Sequence, residues 1–265
     1  MPIAFLSLLA VALYLGASLI LALPLLHRRP LPRAAGLIVA TAATSLHAIV
    51  LVGKHSGGVD LHFFAALSLV GACIAALSLL VNFTRPVASL GVLVFPLAAL
   101  LLSIDSFAAP STQPLPIEWQ IKLHVVFALI AYSVLSVAAL VAILLALQER
   151  ALRLRRFGGI VRALPPLTLT ESLLFQLIGV GFVLLTLTLI SGILFVDDLF
   201  AQHLIHKTVL SIAAWLVFGV LLYGRWRYGW RGRSAVRLTL IGMALLLLAF
   251  FGSRFVLEVL LHRVS

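Results

Sequence analysis

The sequence predicts an all-α fold, a polytopic bundle of eight transmembrane helices that takes residues 1–265 as one domain. Three observations carry this expectation. Of the 265 residues, 63% are hydrophobic and 10% charged, against roughly 25% charged in an average soluble domain. The apolar residues come in runs of about twenty, the length a helix needs to cross a hydrocarbon core of about 30 Å. The short segments between those runs collect most of the basic residues.

The first span, 3–26, outruns the apolar core of a secretory signal and has no positive leader, so it is read as retained. It stops at His27, Arg28 and Arg29. The second, 33–52, carries His47, and the third, 61–82, carries Cys73, which packs there as a small hydrophobe. Arg85 and Pro86 precede the fourth span, 87–104, where Pro96 is tolerated if neighbours satisfy the carbonyl it frees. The loop DSFAAPSTQPLPIEWQ (105–120) is polar, Pro-rich and too short for a domain. The fifth span, 121–147, opens on Lys122 and His124. A basic loop follows at 148–166, a solvated anchor or a partly interfacial helix. Gly179, Gly181 and Gly192 in the sixth span, 171–196, suit close helix packing. The seventh, 207–224, begins just after His206 and runs into RWRYGWRGR. The eighth is 237–261.

An even number of spans puts both termini on one side. If that side is external, Arg28, Arg29, Arg33, Arg85, Arg150, Arg153, Arg155, Arg156, Arg162, Arg225, Arg227, Arg231, Arg233 and Arg237 all fall inside. Only Lys54, Lys122, Lys207, Arg254 and Arg263 of the 19 basic residues fall outside. The positive-inside rule therefore selects N-out, C-out, with RWRYGWRGR as an internal anchor.

The formal charge of +11 is spread over loops between apolar runs, so nucleic acid is excluded as a partner and membrane lipid expected. A single cysteine excludes a disulfide framework, Cys-x-x-Cys exchange and covalent haem attachment. No Gly-x-Ser-x-Gly occurs, and no carboxylate lies at mid-depth in any span as a coupled transporter would place it.

Seven of the 8 histidines, His47, His55, His62, His124, His203, His206 and His262, fall on the outer half, and His27 falls inside. His55, His62 and His203 read as wet surface residues. His47 and His124 lie inside apolar helices, where an ionisable side chain is a functional candidate. His206 heads its span in the same leaflet. Bundles build cofactor sites from facing helices at matching depth, and histidine is a common axial ligand of haem iron. Lys122, Lys207 and Arg254 stand at the level of haem propionates, with snorkelling as the plain alternative and Glu258 a turn away from Arg254. No His-x-x-x-His or Glu-x-x-His pair supports a metal site without porphyrin.

The segment KLHVVFALIAYSVLSVAALVAILLALQ (122–148), with His124 eight residues before Tyr132, resembles the histidine-bearing helix of the CcsA-type cytochrome c assembly family. Residues 184–261, with HKTVLSIAAW, GWRGR and FGSRF, resemble the YpjD/HemX-like branch of that family. The resemblance implies a bacterial inner-membrane bundle of about eight helices, non-covalent haem b at outer histidines, and a link to cytochrome c maturation or haem-biosynthesis proteins. His124 and His206 match the family's histidines, with His47 and, at altered spacing, His262 as further candidates. Haem-handling members carry a Trp-rich outer loop ending in Trp-Asp-Pro-Lys, whereas FVDDLFAQHLIHK here has no tryptophan. Tyr223-Gly224 stands where the ligase branch has a histidine. The resemblance therefore implies a haem holder or accessory rather than an enzyme that attaches haem. A regulatory or scaffold membrane protein is the alternative, and a transporter the third reading.

Reporter fusions after Arg29, Arg156 and Arg233 are expected to behave as cytoplasmic. Fusions after Gly58, Thr112 and the C-terminus should behave as external. A cytoplasmic C-terminus would remove one of the eight spans.

Overall fold

The computed structural model describes residues 3–26, 33–54, 63–85, 87–108, 118–154, 165–195 and 202–252, helical apart from short turns. Among them the helices are α1 (Ile3–Leu26), α2 (Arg33–Lys54), α3 (Phe63–Thr84), α4 (Gly91–Phe107), α5 (Trp119–Arg153), α6 (Leu167–Phe195), α7 (Gln202–Tyr228) and α8 (Arg233–Leu247). A 3-10 turn, Ala88–Leu90, leads into α4, and a π turn, Leu248–Gly252, ends α8. Seven helices are long and apolar enough to cross a membrane, and α4 is a shorter apolar helix of 17 residues. The chain is thus an all-helical, multi-span membrane protein.

Several boundaries differ from those expected. The fourth helix starts at Gly91 because Pro86 lacks a donor and disfavours α geometry at Arg85. The chain turns instead through Val87 N–H to the Arg85 carbonyl and Leu90 N–H to the Val87 carbonyl, each 2.8 Å. The 35 residues of α5 make a helix about 52 Å long, well beyond one crossing. Its last turns are polar, and Glu149 pairs with Arg153 at 3.8 Å. Helix α8 begins four residues ahead of its apolar run, directly after Gly232, whose φ of 55° breaks the preceding turn.

The chain divides into two compact units, residues 1–116 with 144–170, and residues 117–143 with 171–265. In the first, helices pack through small residues that let backbones approach, the usual solution where hydrocarbon offers no hydrophobic drive. Ala10, Tyr14, Ala17 and Leu21 form the buried stripe of α1, and Gly36, Ala40, Ala43, His47 and Val50 that of α2. The Phe95 ring stacks on Tyr14 at 6.0 Å. Lys54 Nζ reaches both the Asp105 carboxylate (3.1 Å) and its backbone carbonyl (2.9 Å), so the buried acid is matched by a charge. The Ser106 hydroxyl donates a hydrogen bond to Ser7 Oγ at 3.0 Å.

In the second unit, residues 131–139 of α5 have no exposed face. The Tyr132 hydroxyl donates to the Leu246 carbonyl just ahead of the π turn. Trp215 Nε1 donates to Thr186 Oγ1 at 2.9 Å while its ring stacks on Phe182 at 5.4 Å. At the opposite end, buried Glu171 of α6 holds Arg225 and Arg231.

A Cβ at Gly91 would lie 2.6 Å from Phe95 Cε2 and 2.8 Å from Leu21 Cδ1, both on fully or largely buried side chains. Gly91→Ala is expected to cost about 1–3 kcal/mol, read as a lower melting temperature in detergent. At Gly16, where an added Cβ meets nothing within 4 Å, the same change should leave the melting temperature unchanged or raise it.

Candidate functional site

His124 lies in the second turn of α5, partly exposed. Its Nδ1 stands 2.9 Å from Ser191 Oγ on α6. Ser191, itself buried, donates its hydroxyl proton to the Thr188 carbonyl at 3.0 Å. A hydroxyl has one proton to give, so towards the imidazole Ser191 acts as acceptor and Nδ1 carries the hydrogen. The Thr188 backbone carbonyl also accepts from the imidazole and, being an acceptor only, engages the ring N–H, so in the Nδ1–H tautomer the lone pair is on Nε2. Gly192 completes the seat, since a Cβ there would come within 3.3 Å of His124 Cε1.

His47 sits in the first unit in a different environment. It is fully buried, with Nδ1 at 3.3 Å from the Tyr14 hydroxyl and Nε2 at 3.0 Å from Ser68 Oγ. The Tyr14 hydroxyl also reaches Thr44 Oγ1 at 3.3 Å, and Thr44 donates to the Ala40 carbonyl at 2.8 Å. One direction satisfies every group: Ser68 to His47 Nε2, His47 Nδ1–H to Tyr14, Tyr14 to Thr44, Thr44 to the backbone. Tyr14 meets the imidazole edge-on, centroids 5.9 Å apart.

An axial ligand of haem iron must offer a ring nitrogen with a free lone pair. His124 does so, with its other nitrogen held by an oxygen as metal-bound histidines usually have it. His47, engaged at both nitrogens, offers none. His206 is exposed on the second turn of α7, and no hydrogen bond or ring contact joins it to His124. Lys122 is exposed and Lys207 half-buried. His262 and Arg254 lie outside the residues whose side chains are described, as do His55, His62 and His203. Among the described residues no three His, Cys, Asp or Glu side chains gather as a metal cluster.

Sequence reasoning passed over Ser191, Ser68 and Tyr14, and treated Gly192 as a helix-packing position only. A signal was present. Thr188 and Ser191 stand three residues apart in an otherwise apolar span, so a back-bonded hydroxyl pair was foreseeable. Which histidine it would meet depends on a contact between residues 67 positions apart.

Comparison with known proteins gives a consistent set of relatives. The family described as Cytochrome C assembly protein matches residues 31–261. Inner membrane protein YpjD of Escherichia coli K12 is 40% identical over 137 residues, 52% of each chain. An uncharacterized 28.8 kDa protein of Azospirillum brasilense is 36% identical over 202 residues, 72% of this chain and 73% of its own. Cytochrome c biogenesis protein CcsA of Chlamydomonas reinhardtii is 23% identical over 175 residues, 62% of this chain and 48% of that one. The match spans about half the length of the YpjD proteins. No solved structure matches the chain.

The tautomer of His124 is directly measurable. Nitrogen NMR of protein labelled at histidine should show His124 protonated at Nδ1 and bare at Nε2. Ser191→Ala removes the acceptor and should populate the Nε2–H form, with the His47 signals unmoved.

Proposed function

The chain belongs to the cytochrome c assembly protein family, and from that membership we propose that it binds haem b non-covalently in a bacterial inner membrane. On this reading it is one membrane domain of eight spans with both termini external, holding haem for cytochrome c maturation and making no bonds itself. The observation that supports it best is His124, with Nδ1 tied to Ser191 and Nε2 left as a donor to iron. His206, near the start of α7, is the proposed second ligand, with His262 the other outer candidate. Lys122, Lys207 and Arg254 would meet the propionates. Haem would supply an iron centre able to change oxidation state, and these residues would bind and orient it. We assign His47 to the packing of the first unit, since its two nitrogens serve Tyr14 and Ser68.

A second reading has one observation in its favour. The FVDDLFAQHLIHK segment has no tryptophan to present haem to an apocytochrome. A scaffold that retained the fold and controls a partner in haem traffic would need no such loop. Haem content separates the two readings.

The purified protein should give a haem b absorption spectrum and a positive pyridine haemochromogen assay. His124→Leu should abolish or greatly reduce haem per protein with normal membrane insertion, and His206→Leu should reduce it or turn a six-coordinate spectrum five-coordinate. Ser191→Ala should weaken haem affinity by roughly 10–100-fold, the usual effect of losing a metal ligand's own hydrogen-bond partner. His55→Leu, His203→Leu and His47→Leu should keep the spectrum of the folded protein. A clean preparation without haem, even after supplementation, would transfer the case to the scaffold reading.

A further inference from the structure

The turn between α7 and α8, with the helix ends on either side, carries five arginines, and they do two different things. Arg231 grips Glu171 with three bonds, Nε to Oε1 at 2.9 Å and to Oε2 at 3.1 Å, and Nη2 to Oε2 at 2.8 Å. Those bonds to Glu171 hold the Arg231 guanidinium still further above its ordinary pKa. Arg225 Nη1 adds a bond to Oε1 at 3.1 Å and another to the Trp230 carbonyl at 3.2 Å, and lies over the Phe175 ring at 4.6 Å. Gly229 and Gly232 take φ of 67° and 55°, and a Cβ at Gly224 would overlap the Trp230 indole. The turn has a fixed shape.

Topology alone does not account for this. The positive-inside rule responds to basic residues in sum, and a carboxylate buried among arginines adds nothing to that sum. Glu171, 5% exposed, instead fixes which residues face outward. Those are Arg227, Arg233 and Arg237, all exposed and paired with no carboxylate among the described residues. Beside Arg227 at the end of α7 stand Tyr223, Trp226 and Tyr228, which are 55%, 81% and 65% exposed. Tyr223 touches both other rings at 6.2 Å, and Arg227 lies 5.7 Å from the Tyr228 ring centre.

We propose that this turn is a preformed binding site for the headgroup of an anionic phospholipid. Guanidinium groups pair bidentately with phosphate, and tyrosine and tryptophan settle at headgroup depth. The apolar surface beneath favours a lipid over a soluble anion. Leu216, Val220, Tyr223 and Arg227 follow one another at helical spacing along one stripe of α7, and Leu216 and Val220 are each about half exposed. One helix face thus passes from acyl-compatible to phosphate-compatible. The proposal does not depend on the haem reading.

The test uses full-length protein, delipidated in mild detergent and offered phosphatidylglycerol or phosphatidylcholine, with retention followed by native mass spectrometry. Wild type should retain phosphatidylglycerol preferentially. The combined variant Arg227→Gln, Arg233→Gln, Arg237→Gln should lose about a hundredfold in retention, from roughly fivefold per charge. Arg150→Gln, an exposed arginine of the other compact unit, should lose nothing comparable. Glu171→Gln discriminates further: it raises the net charge, so simple electrostatics predicts tighter retention, whereas a preformed site predicts weaker. Equal retention of the two lipids by wild type would overturn the proposal. So would unchanged retention in a triple variant of normal melting temperature. Displacement of the lipid by millimolar inorganic phosphate would reduce the site to one for free anions, and specific retention of an acidic protein instead of lipid would replace it with a protein interface.

Discussion

Many hydroxyls inside the apolar helices spend their single proton on their own backbone, and much of the polar organisation of this protein depends on that. Thr44 donates to Ala40, Ser133 to Leu129, Thr186 to Phe182, Thr188 to Leu184, Ser191 to Thr188 and Thr239 to Ala235, all at 2.7–3.0 Å. With no water at hand, back-bonding is the available way to satisfy the donor. Each such hydroxyl is then an acceptor towards everything else. The groups that reach these back-bonded hydroxyls from other helices must therefore be donors. Trp215 Nε1–H meets Thr186, the Tyr14 hydroxyl meets Thr44, and His124 Nδ1–H meets Ser191.

The same constraint separates two histidines that look alike in sequence. Each stands in an apolar helix near one end, and each invites the same reading. His47 meets oxygens on both sides, so its two nitrogens are consumed in joining α1, α2 and α3 within the first unit. His124 meets the Ser191 hydroxyl and the Thr188 carbonyl, both acceptors for its N–H, beside a glycine, so in the Nδ1–H tautomer Nε2 keeps its lone pair. The difference between the two histidines is thus whether the neighbouring oxygens engage both ring nitrogens or only the protonated one.

The helical fold was legible because its cause is one-dimensional. Runs of apolar residues interrupted by Arg-rich loops specify spans whatever their partners, and family resemblance in 122–148 and 184–261 pointed the same way. Helix ends were less so. The 3-10 entry to α4 arises from Pro86, and the long tail of α5 from polar residues that prolong a helix without belonging to a membrane. The candidate site was legible as residue types at matching depth, and no further. That Ser191 and Gly192 seat His124, or that Glu171 takes two arginines from the far end of α7, depends on contacts across more than fifty residues. No local pattern encodes them.

On the haem reading, the two proposed ligands are unequal in a way that suits holding rather than attaching. His124 stands on a long helix, its ring fixed by a buried serine whose own proton is committed. His206 is exposed near the start of its helix. A metal centre with one preorganised and one accessible ligand can exchange the accessible one without rebuilding the site, because the cost of orienting the first imidazole has already been met by the fold. Transfer to another protein would require groups that present the porphyrin outward, which the tryptophan-free FVDDLFAQHLIHK segment does not supply. On that reading, the asymmetry between the two histidines and the composition of the loop leading into the helix of His206 argue for the same role, retention rather than delivery.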